Sequence, residues 1–203
     1  MNWNRIYRIY IKRVIDLFVA LTLLILLSPI LLLVSILIIT TSDGPLFFTQ
    51  TRVGKNLKNF RIYKFRTMTD HKHEVKKRLG KTDDITKVGY YLRTYKIDEL
   101  PQIFNVLRAE MSLVGPRPSI PQQLIDLSKE EKRRYVVRPG MTGLAQVCGN
   151  IHISWKERYE YDLKYIGNIS LINDAKIGIR TILIIITGEK RFKNQPLKIR
   201  EVG

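Results

Sequence analysis

From Leu17 to Ile39 almost every residue is apolar, the run being interrupted only by Thr22, Ser28, Pro29 and Ser35. As a helix this stretch reaches ~34 Å, enough to cross the hydrocarbon core of a bilayer. It is too long for a cleaved leader and lacks a small-residue cleavage site. Hydropathy alone favours a simple anchor, but the flanks oppose a crossing. Arg5, Arg8, Lys12 and Arg13 precede the run, and Arg52, Lys55, Lys58, Arg61, Lys64 and Arg66 follow it. Basic residues beside a membrane segment favour the cytoplasmic side, and one crossing cannot place both flanks there. Ser28-Pro29 lies near the centre, where proline removes a helical hydrogen bond and a serine hydroxyl can serve the backbone groups it frees. Beyond it, Ile30–Ile39 covers only ~15 Å, about half the hydrocarbon thickness. The expectation is a helix-break-helix over residues 1–41 that dips into the membrane and returns, followed by a compact domain over 42–203.

A chain of 203 residues suits one core of ordinary size with an appendage. Its 35 lysines and arginines against 18 acids, a net charge of +17, call for anionic partners. Nucleic acid, anionic lipid and phosphorylated small molecules all qualify. The single cysteine, Cys148, excludes an internal disulfide and fits a reducing compartment. No repeat stands out, and no P-loop or dinucleotide fingerprint is present.

Past the turn-rich Thr40–Pro45, the residues Phe60–Met68 alternate apolar and basic, which reads as a strand paired with Phe47–Val53 in a hairpin. Either its basic face is solvated, or Lys64 or Arg66 points into a phosphate site. Residues 69–89 read as a charged loop with a short helical piece. Zinc is not expected there, since His71 and His73 do not share a helix face and no cysteine is near. Helical segments are expected over 87–94, 100–110, 119–128 and 154–166. Arg138-Pro139-Gly140-Met141-Thr142-Gly143 reads as a tight turn exposing backbone N–H groups. Trp155, Tyr159, Tyr161 and Tyr165 suit core packing or a membrane interface. Ile177–Ile186 is too short to span and could lie along the interface beside Lys176, Arg180, Lys190 and Arg191.

The residues with the clearest chemistry are Asp98 and Glu99, followed by Leu100-Pro101-Gln102 and surrounded in sequence by Arg93, Lys96, Arg108 and Arg117. Asp98 could cap a helix starting near Leu100, with Pro101 harmless in its first turn. The alternative is work on a phosphate. One carboxylate would attack phosphorus or hold Mg²⁺ while arginines grip the phosphoryl oxygens.

Together these blocks resemble the bacterial sugar transferase family, the small monotopic polyprenyl-phosphate phosphoglycosyl transferases. The resemblance is carried in order by Lys12-Arg13 with Asp16, Ser28-Pro29, Gly44-Pro45 with Gln50, Arg52 and Gly54, and Tyr63–Met68. It continues through Leu92-Arg93, Asp98–Gln102 with Asn105-Val106-Leu107, Met111–Pro118, and Arg138–Gly143 with Ala145-Gln146. It implies an α+β, mainly helical fold: a re-entrant membrane helix broken at Ser28-Pro29, and a cytoplasmic domain with a small β-hairpin and interfacial helices. The implied location is the cytoplasmic face of the bacterial inner membrane. The implied reaction moves a sugar-1-phosphate from a UDP-sugar to polyprenyl phosphate, such as undecaprenyl phosphate, and releases UMP. This would be the first membrane step of a capsule, exopolysaccharide, O-antigen or glycoprotein pathway.

By the same resemblance Asp98 is the nucleophile that carries the sugar phosphate covalently. Glu99 assists through Mg²⁺ or by managing a proton, and both carboxylates are candidate Mg²⁺ ligands. Arg93, Arg117, Lys64 and Arg138 are expected to hold phosphate and nucleotide. The chain looks like the minimal catalytic form, beginning at the re-entrant segment. Its partners would be the UDP-sugar, the polyprenyl phosphate and the membrane; a homodimer is compatible, and nucleic acid is not expected. Two other readings stand beside this one: a membrane-tethered basic protein that binds anions or nucleic acid without catalysis, and a hydrolase of lipid diphosphates. The sugar, the lipid length, the final glycan and the oligomeric state are not readable here.

Overall fold

A computed structural model describes residues 3–69, 85–188, 192 and 195–202. Most of the segment expected as a charged loop, and Lys190 and Arg191, lie outside these residues. The chain opens with α1 (Trp3–Ile6), a π-helical turn (Tyr7–Ile11) and the long α2 (Lys12–Thr41). The expected interruption does not end the helix, because α2 stays helical through Pro29. Proline leaves the carbonyl four residues back without its donor, and that carbonyl belongs to Ile25. The Ser28 hydroxyl donates to it at 2.8 Å, so the gap is filled from within the helix.

One stripe of this helix packs on the rest of the protein along its whole length. Tyr7, Ile11 and Ile15 join a cluster with Tyr165 and Ile177. Ala20, Leu23, Leu24 and Leu27 meet Phe60, Ile62 and Ile103. Leu31, Val34 and Ile38 meet Phe65 and Leu92. The spacing of these positions is that of a single helical face. The opposite face exposes Phe18, Leu21, Ile25, Leu26, Leu32, Leu33 and Ile36. By length and composition the helix over Trp3–Thr41 is able to cross a membrane.

The hairpin forms as the alternation predicts. Strands β1 (Phe47–Val53) and β2 (Asn59–Phe65) pair antiparallel with Phe47 opposite Phe65, joined through a 3₁₀ turn at Lys55–Leu57. Phe60, Ile62 and Phe65 face inward. Arg66 sends its guanidinium to the carbonyls of Ser42 and Asp43, closing the C-terminal end of α2. Helix α3 (Lys87–Thr94) is capped by the Thr86 hydroxyl. It lies so close to the hairpin's end that a Cβ on Gly89 would collide with the backbone of Thr67.

The helix expected over 100–110 is shorter than the pattern suggested. A 3₁₀ turn over Ile97–Glu99 leads into α4 (Gln102–Leu107), which stops before Ala109 in the left-handed region. The helix expected over 119–128 is only a 3₁₀ turn, Pro121–Leu124. Two three-residue strands, β3 (Ser112–Val114) and β4 (Gly140–Thr142), pair in parallel. They bring the two proline-glycine blocks against each other, and a Cβ on Gly140 would strike the backbone of Gly115. Then come α5 (Leu144–Val147), α6 (Trp155–Gly167) with a Ser154–Glu157 capping box, and α7 (Leu171–Thr187). Tyr159 and Tyr165 belong to the core, whereas Trp155 is exposed. Helix α7 exposes Ile179, Ile182, Leu183, Ile185 and Ile186.

Asp174 on α7 ties the chain's start to its end. It accepts from Tyr7 Oη at 2.6 Å, Lys12 Nζ at 2.6 Å and Tyr165 Oη at 2.7 Å. Buried Asp16 accepts from Ser112 Oγ at 2.7 Å and Leu113 N at 3.2 Å, locking α2 to β3. Asp16 from the first motif and Asp174 are therefore used in assembly.

Candidate active site

Three separate pieces of chain converge on the turn that carries the acidic pair. Strand β2 delivers Lys64, α3 delivers Arg93, the 3₁₀ turn carries Asp98 and Glu99, and the segment after β3 supplies Arg117. Lys96 at the head of that turn adopts φ 58°, which turns the chain sharply enough to aim successive carboxylates at one space. Neither this turn nor α4 has a side-chain cap, so Asp98 is not capping a helix.

Glu99 is pinned. Its Oε1 accepts from Lys64 Nζ at 2.5 Å and from Arg117 Nη2 at 3.1 Å. Burial alone would raise its pKa, but Arg117 and Lys64 outweigh that and hold the carboxyl at about 2. Asp98 differs. Only 9% of it is exposed, and no side chain among the described residues hydrogen-bonds to its carboxylate. Burial, then the adjacent Glu99 charge, push its pKa up, while Lys64, Lys96 and Arg93 work against the rise. Adjacent carboxylates thus hold opposite positions: one neutralised by two cations, the other unpaired and more basic.

Asp98, Glu99, Arg93 and Lys64 line a cavity of about 710 Å³, together with Arg52 and an apolar rim that includes Phe47, Phe48 and Met68. Arg93 is held by its Nε–H, which donates to Thr67 Oγ1 at 2.8 Å. Arg117 stands at the boundary with a second cavity of about 270 Å³, which shares Arg52 with the first.

Arg138 does not join this site. Its Nε–H donates to Ala109 O at 2.8 Å, and Arg13 donates to Val106 O at 2.8 Å, so both arginines serve carbonyls at the C-terminal end of α4. Arg138 lines a separate basic cavity with Arg8, Lys12, Arg13 and Lys55. Its place in the proline-glycine block, beside strand β4, explains the displacement. Ser28 and Pro29 lie within α2, outside the cavity lining. Among the described residues no three His, Cys, Asp or Glu side chains cluster as a metal site, so the acidic pair is the hard-oxygen donor set near the cations.

The sequence reading missed Arg52 as a site residue, although its alternation with Gln50 on β1 places both on one strand face. It also missed the ion pair between Arg134 Nη2 and Asp162 Oδ2, 2.6 Å long and buried beneath the second cavity. No local spacing links those two residues.

Comparison with known proteins agrees with the geometry. The family model described as bacterial sugar transferase matches residues 7–188. An uncharacterised sugar transferase, EpsL, of Bacillus subtilis strain 168 is 40% identical over 88% of this chain and 89% of its own length. The UDP-N-acetylgalactosamine-undecaprenyl-phosphate N-acetylgalactosaminephosphotransferase of Aeromonas hydrophila is 40% identical over 88% of this chain and 44% of its own. The UDP-glucose:undecaprenyl-phosphate glucose-1-phosphate transferase of Klebsiella pneumoniae is 42% identical over 84% of this chain and 39% of its own. This chain thus spans less than half of the last two. Motifs, fold and similarity agree, and the chain belongs to the bacterial sugar transferase family.

Proposed function

We propose that this chain is a phosphoglycosyl transferase that moves a sugar-1-phosphate from a UDP-sugar to a polyprenyl phosphate and releases UMP. The observation that carries the reading is the buried Asp98 carboxylate, without a hydrogen-bond partner among the described residues, lining a cation-rich cavity beside a Glu99 held by two cations. The two relatives named for UDP-sugar donors and undecaprenyl phosphate support the substrate classes.

In the first step a carboxylate oxygen of Asp98 attacks the β-phosphorus. The bond from that phosphorus to the bridging oxygen breaks, and UMP leaves with the electron pair. In the second step an oxygen of the lipid phosphate attacks the same phosphorus, and the aspartyl carboxylate is regenerated. Two steps spare the site from holding both polyanions at once. Arg93 and Lys64 flank the transferred phosphoryl group, and Arg117 and Arg52 face the departing one. Each such contact supplies a few kcal/mol of transition-state stabilisation, ~10²–10³ in rate.

Of the two roles open to Glu99, its low pKa favours fixed charge over proton carriage. Both cations bond to its Oε1, and both Glu99 and the adjacent Asp98 line the same cavity. That donor set fits Mg²⁺, which is commonly held by one or two carboxylates together with substrate phosphates. When bound, Mg²⁺ would neutralise charge on the diphosphate.

The protein works at the cytoplasmic face of the membrane with a re-entrant α2. Both basic flanks support this, and so does the packing of both ends of α2 on one domain. The exposed apolar face of α7 would lie along the same interface.

The test is the intact mass of purified protein after mixing with a panel of UDP-sugars and Mg²⁺ in the absence of acceptor. One donor should add a sugar phosphate to the wild-type chain and nothing to Asp98→Asn. Adding undecaprenyl phosphate should remove the adduct, and UMP should be released in step with lipid. UMP release by Asp98→Asn at the wild-type rate would rule out the covalent route.

A further inference from the structure

The cavity beyond Arg117 has unused hydrogen-bonding capacity. Among the described residues, Arg52 Nε, Arg134 Nε, Arg158 Nε and both amide atoms of Gln146 are buried without a hydrogen-bond partner. All five atoms belong to residues that line this one cavity of about 270 Å³. Buried polar groups are normally paired, so a cluster of unpaired ones around one space points to a ligand.

Position and chemistry narrow what that ligand is. The cavity meets the catalytic one at Arg52, and Arg117, which donates to Glu99, lines it. A group leaving the β-phosphorus therefore has its phosphate at these arginines and its remaining body in the second cavity. Gln146 offers a donor and an acceptor side by side. That pair complements the imide edge of uracil, where N3–H lies next to a carbonyl. Trp155 on the rim gives an exposed indole for stacking, with the Arg158 guanidinium 4.3 Å above its ring. The floor is rigid: Arg134 pairs with Asp162 at 2.6 Å, donates to Ser119 Oγ at 2.9 Å and Arg117 O at 2.7 Å, and stacks on Tyr159. Arg134 thereby fixes the backbone of Arg117.

We infer that this cavity is the base-binding site, that it takes a uracil base, and that the Gln146 amide reads its imide edge. The inference rests on the transferase reading, since it assigns a seat to the nucleoside of that donor. The base is read away from the reacting atoms, so a sugar exchange at the catalytic cavity leaves the base contacts unchanged. Gln146 is a specificity residue that acts on binding, without a part in the chemistry.

The experiment is equilibrium binding of UMP and of CMP to the purified full-length chain in detergent, for wild type, Gln146→Ala, Trp155→Ala and Asp98→Asn. Wild type should prefer UMP to CMP. Gln146→Ala should lose about 10- to 100-fold in UMP affinity, the worth of two buried hydrogen bonds, and should no longer discriminate between the two. Trp155 is exposed, so Trp155→Ala keeps the fold and should weaken both nucleotides about 10-fold through lost stacking. Asp98→Asn should bind UMP like wild type. No UMP binding by wild type, equal affinity for UMP and CMP, or wild-type affinity and preference in Gln146→Ala would each overturn the inference. Those outcomes leave adduct formation at Asp98 standing, whereas loss of the transferase reading would appear in adduct mass with UMP binding unaffected.

Discussion

At the scale of residues, the acidic pair shows how burial and neighbours divide labour between two adjacent carboxyls. Glu99 has a folded pKa of about 2, below its ordinary 4.5, so the folded state binds fewer protons in that interval. Its stabilising contribution is fully present above the ordinary value and is lost as pH falls toward 2. A shift of that size corresponds to about 3 kcal/mol, an upper figure given partial exposure of the side chain. Denaturant unfolding should show wild type losing more stability than Glu99→Gln between about pH 5 and about pH 3, with parallel curves above. Turnover of Glu99→Gln should fall ~10²–10³-fold, because Lys64 and Arg117 lose the charge that orients them. Parallel stability curves across the acid range would show that Glu99 is not pinned as described. The pair, Arg93 and Arg117 were legible because they sit close together in sequence. Arg52 and Gln146 were legible only as motif members, since their neighbourhood is assembled from distant segments. That Arg138 lies in a separate cavity was hidden for the same reason: sequence shows its charge but not its bond to Ala109 O.

Elements were legible where a local rule governs them. Period-two alternation marked the hairpin, and the Ser154–Glu157 capping box marks where α6 starts. Strands β3 and β4 were not, because three residues carry no period and their pairing joins segments far apart. The shortening of α4 follows from Pro101 at its start and left-handed Ala109 beyond its end. Its last carbonyls are then served from outside by Arg13, and Arg138 holds the carbonyl of Ala109 just beyond the helix. Arg13→Ala should lower stability by about 1–2 kcal/mol, the worth of a part-buried hydrogen bond from a charged donor to Val106 O, and Arg138→Ala by less, because Ala109 is exposed. Both should reduce turnover by shifting α4 and the attached acidic turn. Their affinity for UMP should match wild type, measured by the same nucleotide binding. A selective loss of UMP affinity in Arg138→Ala, at unchanged stability, would return Arg138 to the substrate site.

For the whole molecule, the decisive relation is between α2 and everything else. The apolar run and the basic flanks were readable from sequence, and they already conflicted with a single crossing. The structure adds that the two ends of the helix rest on the same body, through Tyr7 and Lys12 at one end and Val34 and Ile38 at the other. A helix crossing a bilayer would separate those ends by the hydrocarbon thickness, ~30 Å of medium that no water-exposed domain surface shares. Ser28, by serving Ile25 O, removes the cost that an unpaired carbonyl beside Pro29 would carry in lipid. Both flanks should therefore face the cytoplasm. In a Cys148→Ser background, Arg8→Cys and Lys58→Cys place single thiols at exposed positions before and after the helix. A membrane-impermeant maleimide should label both in inside-out vesicles and neither in right-side-out ones. Labelling of one position in each vesicle type would mean that α2 crosses, and the contacts at one of its ends would then have to break in the membrane.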